Sequence, residues 1–443
     1  MTWTASPSGI PSLLEMHSTW LKMCRSIAEL NEVTQIYRSA AWRRMDRVVR
    51  YAESTIRTAN SPASRRGAKG RGERRATAAS GRPFACTITV AMKTYRIALL
   101  PGDGIGKEVI PQAVRVLETV AQDFQLTFEH FEWGCEYYLR AGRMMPDDGL
   151  DQLRPFDAIL LGAIGHPTVP DHISLRDLLL RIRFGYDLYV NLRPIEVLPG
   201  LDPPLRNKTP QDVNMLFVRE NSEGEYCGMG GRFKRGTPDE FAIQHAVFTC
   251  KGVERILRYA FEQARQRPRK RLASATKSNA LNYSMVMWDE LLKEVGRDYP
   301  EVAVSNYHVD ALAARMVTHP ETLDVVVASN LFADILTDLG GALQGSLGLA
   351  ASANLNPTAR LGPPMFEPVH GSAPDIEGRG VANPIAAIWT AALMTEHLGE
   401  PSAAERIMSA LRAVTGEGRI RTADLGGKNT TREFADAVIA RLA

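Results

Sequence analysis

Val325-Val326-Val327-Ala328-Ser329-Asn330-Leu331-Phe332-Ala333-Asp334-Ile335-Leu336-Thr337-Asp338 is the stretch that decides the fold. Its valine run has no polar alternation, which is typical of a strand covered on both faces of a sheet. Asp334 and Asp338 are four residues apart, so on a helix they project from one face. The stretch therefore predicts a buried strand followed by a helix, which is the repeating unit of α/β proteins.

Strand and helix patterns alternate on both sides of this stretch. A strand at 95–100 ends in Pro101-Gly102-Asp103-Gly104-Ile105-Gly106, and an apolar helical stripe follows it. Further apolar segments predict strands near 126–131 and at 158–161, 213–218, 272–275 and 302–304. We therefore predict α/β architecture throughout residues 92–443, without an internal repeat.

The composition is that of a globular protein. The chain has 443 residues, of which 44% are apolar and 23% charged, enough for about two or three domains. No apolar run approaches the length of a membrane span, and charged residues interrupt the first thirty positions, which argues against a secretory signal. The five cysteines form no CxxC pair, which favours free thiols in a reducing compartment, and we expect a cytoplasmic location.

Residues 1–91 differ from the rest of the chain. They hold 15 Lys/Arg and 6 Asp/Glu, a net charge of +9, so the remaining 352 residues carry −6 of the total of +3. Residues 58–82 are rich in Ser, Ala, Gly and Arg and cannot build a core, so disorder is expected there. Three interpretations compete: nucleic-acid or membrane-surface binding, an organelle transit peptide, or a segment without function before a translation start at Met92. We favour the last, because a strand begins directly after Met92.

Three aspartates form a candidate metal site. Besides Asp334 and Asp338, Asp310 lies in Tyr307-His308-Val309-Asp310. Converging carboxylates repel each other unless a cation lies between them, and hard divalent ions prefer oxygen ligands. The sequence thus predicts a metal-assisted enzyme, in which other residues supply a substrate clamp and a redox partner.

The glycine-rich turn does not match the dinucleotide-binding fingerprint. The pattern Gly-x-Gly-x-x-Gly requires glycine where Lys107 stands, and no acidic residue ends a second strand at the expected distance. The turn predicts a tight strand-to-helix connection with room for a ligand nearby. We therefore do not expect a classical Rossmann fold.

Three arginines and two further side chains are candidates for substrate chemistry. Arg183, Arg193 and Arg219 lie in otherwise apolar segments, and a guanidinium group matches a carboxylate bidentately. Surface ion pairs explain most single arginines, but three beside metal carboxylates indicate a small dicarboxylic acid. Tyr226 and Lys277 are candidates for proton transfer, although a structural role at a strand end is more frequent for either residue alone.

A long irregular segment predicts a ligand-binding loop. It reads Glu367-Pro368-Val369-His370-Gly371-Ser372-Ala373-Pro374-Asp375-Ile376 and is followed by Val381-Ala382-Asn383-Pro384. Long ordered loops usually bind a ligand. An acidic residue in such a loop can accept hydrogen bonds from two ribose hydroxyls and repel a 2′-phosphate.

These groups of residues, in this order, resemble the β-decarboxylating dehydrogenases, the isocitrate/isopropylmalate dehydrogenase family, from about Met92 to Ala443. The resemblance implies two α/β domains with a central cleft. Residues 92–188 plus 345–443 would form the cofactor-binding domain, and residues 189–344 a smaller domain with substrate and metal residues and dimer contacts. Residues 1–91 lie outside the resemblance.

The resemblance implies a role for each matching position. Arg183, Arg193 and Arg219 would bind the substrate carboxylates, and Asp310, Asp334 and Asp338 would bind Mg²⁺ or Mn²⁺, with K⁺ as a further candidate cofactor. Lys277 would accept the proton of the substrate 2-hydroxyl, and Tyr226 would protonate the carbanion left after loss of CO₂. NAD would be held by His370, Gly371, Ser372, Ala373, Asp375, Ile376 and Asn383.

The resemblance also implies a homodimer with shared active sites, in which Lys277 and Asp310 come from the second subunit. Its substrate-side segments, 178–194, 220–226 and 274–279, are closer to tartrate and D-malate dehydrogenases than to isopropylmalate enzymes. It thus implies NAD-dependent oxidation of tartrate and/or D-malate, with or without decarboxylation. A 3-isopropylmalate dehydrogenase and a non-catalytic regulatory subunit are the alternatives. Ala333, where the family usually has glycine, is a departure that removes no chemical group.

Overall fold

The computed structural model describes residues 92–442, so the predictions for residues 1–91 lie outside the described part of the chain. The strands are β1 (Lys93–Gly102), β2 (Phe124–His130), β3 (Ala158–Ala163), β4 (Val190–Glu196), β5 (Asn214–Glu220), β6 (Gly230–Phe233), β7 (Phe241–Gln244), β8 (Arg271–Thr276), β9 (Ala303–His308), β10 (Val325–Ala328), β11 (Ala351–Leu355) and β12 (Met365–Pro368). They alternate with helices, as the apolar patterns predict.

The helices are α1 (Gly106–Val120), α2 (Cys135–Ala141), α3 (Gly149–Leu153), α4 (Asp171–Ser174), α5 (Arg181–Gly185), α6 (Cys250–Gln266), α7 (Ser284–Gly296), α8 (Val309–Thr318), α9 (Asn330–Gln344), α10 (Ile385–His397), α11 (Pro401–Glu417) and α12 (Thr431–Leu442). A π-helical segment, Leu175–Leu180, joins α4 to α5. Within residues 92–442, no helix is both long and apolar enough to cross a membrane.

Ten strands form one mixed sheet in the order β2-β1-β3-β12-β11-β4-β5-β10-β8-β9, and β6 pairs with β7 in a separate ribbon. The first four strands of this order are parallel to one another, as are the last four. At the centre, β11 is antiparallel to β12 and β4, and β4 is antiparallel to β5. This mixed order differs from the purely parallel sheet of a classical Rossmann fold.

Helices cover the sheet and bury its apolar strands. Helices α1, α10, α11 and α12 pack together over β3, β11 and β12, while α6 packs on β5, β8 and β10 and α9 on β4 and β5. Helix α10 is buried almost all round, because Ile385-Ala386-Ala387-Ile388-Trp389 has no polar face. The sheet runs through both predicted domains, and their boundaries stay a prediction.

The glycine-rich turn after β1 is a junction between three segments. The Asp103 carboxylate is buried and accepts backbone N–H groups of Cys135 at 2.9 Å and of Gly165 at 3.0 Å. It therefore joins the ends of β1 and β3 to the start of α2. Since its oxygens are already bound to the backbone, Asp103 has a structural role.

Ala333, the departure from the family pattern, is tolerated for a simple reason. It lies inside α9, is fully buried and does not have a positive φ. An added methyl group therefore meets no conformational penalty at this position.

Candidate active site

One cavity of about 330 Å³ brings together most of the predicted substrate and metal residues. It lies beside the antiparallel centre of the sheet, where β12, β11, β4 and β5 are neighbours. Its lining includes Ile164, Asp171, Ser174, Leu175, Leu179, Arg183, Arg193, Arg219, Tyr226, Asp334, Asp338, Ser352, Glu367, His370 and Gly371. Residues that are far apart in the sequence thus share one surface.

Asp334 is the central acceptor of this cavity. Its Oδ1 contacts Arg219 Nη1 and lies 3.5 Å from Arg193 Nη2, while Oδ2 accepts the Tyr226 hydroxyl at 2.7 Å. Burial disfavours the charged carboxylate, but Arg219 and Arg193 outweigh this effect and lower the pKa of Asp334. Asp334 is therefore ionised and partly neutralises both guanidinium groups.

Arg219 is held rigidly at the end of β5. Its side chain is buried, and its Nε and Nη2 donate to Asn330 Oδ1 at 3.0 and 2.7 Å. Asn330 is the first residue of α9, so the helix that carries Asp334 also orients the arginine. Burial lowers the pKa of Arg219, while Asp334 opposes this effect.

Arg193 lies on β4, beside Arg219, and is buried as well. Its Nε donates to Asn191 Oδ1 at 2.6 Å, and its Nη1 donates to Thr337 Oγ1 at 2.6 Å. Burial and the positive charge of Arg219 lower the pKa of Arg193. Two neighbouring buried guanidinium groups with one carboxylate between them favour the binding of a further anion.

Arg183 reaches the cavity from α5. Its Nη2 donates to Glu367 Oε1 at 2.5 Å, and both side chains are buried. Glu367 also accepts Asn354 Nδ2 at 2.8 Å. The Nε of Arg183 is buried without a hydrogen-bond partner in the described part of the chain. A donor in this situation fits an incoming carboxylate, since an unpaired buried donor is unfavourable.

Tyr226 lies in the short 3₁₀ turn Glu225–Cys227, and the Arg219 guanidinium lies 5.5 Å from the centre of its ring. Burial raises the pKa of Tyr226, and its hydrogen bond to Asp334 raises it further. The hydroxyl therefore stays protonated near neutral pH and can serve as a proton donor.

Asp338 lies one turn after Asp334 on α9 and lines the same cavity. Its carboxylate makes no hydrogen bond or ion pair with residues 92–442, and burial together with the charge of Asp334 raises its pKa. Asp334 and Asp338 repel each other, and a hard divalent cation bound between them would remove this repulsion, since its preferred ligands are oxygen atoms. They supply part of a coordination sphere only: within residues 92–442, no group of three His, Cys, Asp or Glu can hold a metal ion.

Asp310 and Lys277 are not among the residues that line this cavity. Lys277 follows β8 and Asp310 is the second residue of α8, after the neighbouring parallel strand β9. Lys277 Nζ lies 2.9 Å from Asp310 Oδ2, and this contact lowers the pKa of Asp310. The chain thus contains two separate groups: the arginine–aspartate cavity and a lysine–aspartate pair.

The predicted cofactor residues follow β12. His370 and Gly371 line the cavity, and the His370 Nε2 is buried without a hydrogen-bond partner among the described residues. Burial also lowers the pKa of His370, so its ring is neutral at physiological pH. A neutral ring with a free buried nitrogen fits a polar ligand such as a nucleotide.

The remaining predicted cofactor residues come later in the chain than Gly371. Ser372 is buried, Ala373 has a positive φ of 43°, and Asp375 is exposed. Asn383 is buried and donates to Asp424 Oδ2 at 2.8 Å. Ile376 packs against the core. The described cofactor residues therefore form a loop, with Asn383 just beyond it, next to the substrate cavity.

Sequence reasoning missed the residues that orient the arginines: Asn330, Glu367, Asn191 and Thr337. Asn330 and Glu367 stand inside segments singled out for other reasons, so their proximity to arginines is not visible. A buried polar residue next to an apolar strand is a signal that could have indicated them, since such residues need partners. The overall arrangement is an α/β fold with three buried arginines at one cavity, which is able to bind a small anion.

The chain belongs to the isocitrate/isopropylmalate dehydrogenase family, whose model matches residues 96–438. A probable tartrate dehydrogenase/decarboxylase of Agrobacterium vitis is 55% identical over 355 residues, which cover 80% of this chain and 97% of that protein. A D-malate dehydrogenase (decarboxylating) of Escherichia coli (strain K12) is 54% identical over 356 residues, 78% of this chain and 98% of that protein.

The solved structures agree with this assignment. The crystal structure of isocitrate dehydrogenase from Methylococcus capsulatus superposes with a TM-score of 0.72 at 38% identity, covering 79% of this chain and 99% of the other. The predicted family resemblance and the α/β fold are therefore confirmed. The protein is an oxidoreductase of the dehydrogenase class.

Proposed function

We propose that this protein oxidises a small 2-hydroxy dicarboxylic acid, tartrate and/or D-malate, with NAD as the electron acceptor. The observation that carries the proposal is the convergence of Arg183, Arg193 and Arg219 on one cavity of about 330 Å³. Three buried guanidinium groups suit a substrate with two carboxylates, because each guanidinium can bind a carboxylate bidentately. The names of the relatives from A. vitis and E. coli support tartrate and D-malate.

3-Isopropylmalate is a second candidate, favoured by one feature of the cavity. Leu175 and Leu179, from the π-helical segment, contribute apolar side chains to the lining. They can pack against an alkyl group. Asp171 and Ser174 favour a more polar substrate instead, because they add polar groups to the same part of the cavity lining.

A divalent ion, Mg²⁺ or Mn²⁺, bound by Asp334 and Asp338, would supply a Lewis acid for the substrate oxygen. The protein residues do the rest. Arg183, Arg193 and Arg219 orient the carboxylates, so that C2 of the substrate faces the cofactor loop. NAD, held by the loop that includes His370, Gly371 and Asp375, would supply the hydride acceptor for C2, and loss of the β-carboxylate as CO₂ would follow.

Two side chains carry protons in this scheme. Lys277, contributed by the second subunit, would accept the proton of the 2-hydroxyl, directly or through water. Tyr226 returns a proton to the carbanion after CO₂ has left, which is consistent with its protonated hydroxyl in the cavity. Since both proton-transfer candidates and all three aspartates are present, the sequence argues against a non-catalytic regulatory subunit.

NAD is favoured over NADP by Asp375. It is an exposed carboxylate in the loop that follows His370 and Gly371. At this position it would accept ribose hydroxyls and repel a 2′-phosphate.

We also propose a homodimer with shared sites, and the separation of the two groups supports it. Lys277 and Asp310 pair with each other outside the cavity, so a partner subunit would bring its own pair to complete the metal site. Exposed apolar side chains also support a partner: Tyr283, six positions after Lys277 in the sequence, is 92% exposed, and Phe233 and Phe241 stack at 5.0 Å on the β6–β7 ribbon. Exposed apolar surface of this kind is typical of interfaces.

The test is an assay of NADH formation by the purified chain with tartrate, D-malate, 3-isopropylmalate and isocitrate, in Mn²⁺ and K⁺. We expect the highest kcat/KM with tartrate or D-malate, loss of activity on chelation of Mn²⁺, and little use of NADP. A higher kcat/KM for 3-isopropylmalate would overturn the substrate assignment but not the class. Binding of these acids without turnover of any of them would favour the regulatory subunit.

A further inference from the structure

The cofactor loop is attached to the glycine-rich turn at its beginning. The Ile105 N–H donates to the Ser372 carbonyl at 2.9 Å. Gly104 has a φ of +53°, and a Cβ atom there would lie 2.0 Å from the Ser372 carbonyl oxygen. Only glycine allows this close approach, so the turn and the loop are fitted to each other.

The same loop has a second attachment six residues later, and this one is to α1. The Gly378 N–H donates to Glu108 Oε1 at 2.6 Å. Lys107 Nζ, one residue earlier on α1, lies 3.4 Å from Glu377 Oε1 and also contacts Glu136. Two consecutive residues of the first turn of α1 therefore hold the far end of the loop.

A short arc of the loop lies between these attachments. Residues 373–377 lie between the Ser372 and Gly378 contacts, and beyond them the Gly380 carbonyl accepts the Thr431 N–H at 2.8 Å. Asp375, the candidate ribose ligand, is exposed at the middle of this arc. The two ends of the arc, together with the packing of Ile376 against the core, therefore set its position.

The Glu108 contact is the stronger of the two at the far end. A carboxylate that accepts a backbone N–H forms a charge-assisted hydrogen bond, which is about twice as strong as a neutral one. The Lys107–Glu377 pair has side chains that are 37% and 38% exposed, and such surface pairs contribute little. The second oxygen of Glu108, Oε2, is buried without a hydrogen-bond partner among the described residues, so the contact with Gly378 is made by Oε1 alone.

We infer that Glu108 is a positioning residue for the cofactor loop. Glu108 is not among the residues that line the substrate cavity; it fixes Gly378, and through Gly378 the arc that presents Asp375. This inference rests on the proposed role of the loop in NAD binding. It adds a residue of α1, which the dinucleotide fingerprint would not have indicated, to the cofactor machinery.

The test compares Glu108→Ala with Glu108→Gln, which retains a side-chain acceptor, and with Glu118→Ala, an exposed acid ten residues further along α1. We expect Glu108→Ala to raise the KM for NAD by roughly tenfold and to leave kcat at saturating NAD and the substrate KM unchanged. Glu108→Gln should recover most of the loss, and Glu118→Ala should show none.

A second readout does not depend on activity. In the NAD-free protein, hydrogen exchange of the Gly378 amide should be faster in Glu108→Ala than in the unmodified chain and in Glu118→Ala. Unchanged exchange at Gly378, or an unchanged KM for NAD in Glu108→Ala, would overturn the inference. Failure of the proposed function is a separate outcome, because it shows as absent NAD-dependent turnover in the unmodified chain.

Discussion

At Asp334, a single carboxylate serves two arginines and a tyrosine. The residue types of this cluster are visible in the sequence, because arginines in apolar segments and paired aspartates are unusual. Their mutual contacts are not, since Arg219 and Asp334 are separated by more than one hundred positions. What the sequence lacks is the set of uncharged partners, above all Asn330, which orient the charged groups.

Asn330 provides the first prediction. Asn330→Ala removes the acceptor of two Arg219 N–H groups, so Arg219 loses its fixed orientation. We expect a loss of kcat/KM for the dicarboxylate of roughly tenfold to a hundredfold, because hydrogen bonds to a charged group contribute ~1.5–3 kcal/mol. Steady-state kinetics measures it, with Asn306→Ala on the exposed edge strand as the control. Equal kinetics of both variants would contradict the role given to Asn330.

Tyr226 provides the second prediction. Tyr226→Phe keeps the aromatic ring beside Arg219 but removes the hydroxyl that donates to Asp334. Since general acid catalysis contributes ~10²–10⁴-fold, we expect kcat to fall by an amount in this range while the substrate KM changes little. A fall in affinity without a fall in kcat would show instead that Tyr226 only binds the substrate.

Among the elements, those with a clear period were predictable and those without one were not. β10 and α9 follow directly from the valine run and the spacing of the aspartates. The strand predicted at 302–304 continues to His308, because the edge strand β9 is exposed and carries polar residues that hide its period. The π-helical segment Leu175–Leu180 has no sequence signal, since an apolar run is compatible with several helical geometries.

The segment after α5 shows how elements position the site. Asp187 has a positive φ of 48° and pairs with Arg255 of α6 at 2.7 and 2.9 Å. Arg255 also donates to Ser222 Oγ at 2.7 Å and lies 4.0 Å from the centre of the Tyr189 ring. The pair therefore links the end of the Arg183 helix to the loop that leads to Tyr226.

The third prediction distinguishes the backbone strain at Asp187 from the stabilisation by its ion pair with Arg255. Asp187→Ala removes the ion pair and leaves a residue with a side chain at positive φ, whereas Asp187→Gly removes the pair and the strain together. We expect both to be less stable than the parent, with Asp187→Gly more stable than Asp187→Ala by ~1 kcal/mol. Urea unfolding measures the difference. Equal stability of the two variants would mean that the backbone at this position carries no strain.

For the whole molecule, the mixed sheet explains why the site could not be assembled from the sequence alone. Neighbours at the centre of the sheet are β12, β11, β4 and β5, whose order in space differs from their order in the chain. The sequence predicted the α/β class and the candidate residues. It could not predict that Lys277 and Asp310 lie apart from the cavity that contains Asp334 and Asp338, and only the family resemblance suggested a second subunit.

The fourth prediction concerns the surface through which two copies of the chain would form the proposed dimer. Phe233→Ser on the β6–β7 ribbon removes half of an exposed aromatic stack. If the ribbon contacts a second copy, the variant should dissociate at higher concentration than the parent, as seen by light scattering, and lose activity as it does so. Leu139→Ser on α2, an apolar position that is 54% exposed against 47% for Phe233, is the control. Unchanged dissociation of Phe233→Ser would exclude the ribbon from the interface.

A hybrid dimer tests most directly whether the active site is shared between two subunits. Lys277→Ala and Asp338→Asn are suitable because Lys277 belongs to the lysine–aspartate pair and Asp338 to the cavity, where it has no hydrogen-bond partner among residues 92–442. Each homodimer should be inactive. In a purified hybrid, shared sites place both defects in one site and leave the other site intact, so we predict recovery of up to half of the parent kcat per dimer. A hybrid as inactive as the two homodimers would contradict the shared site.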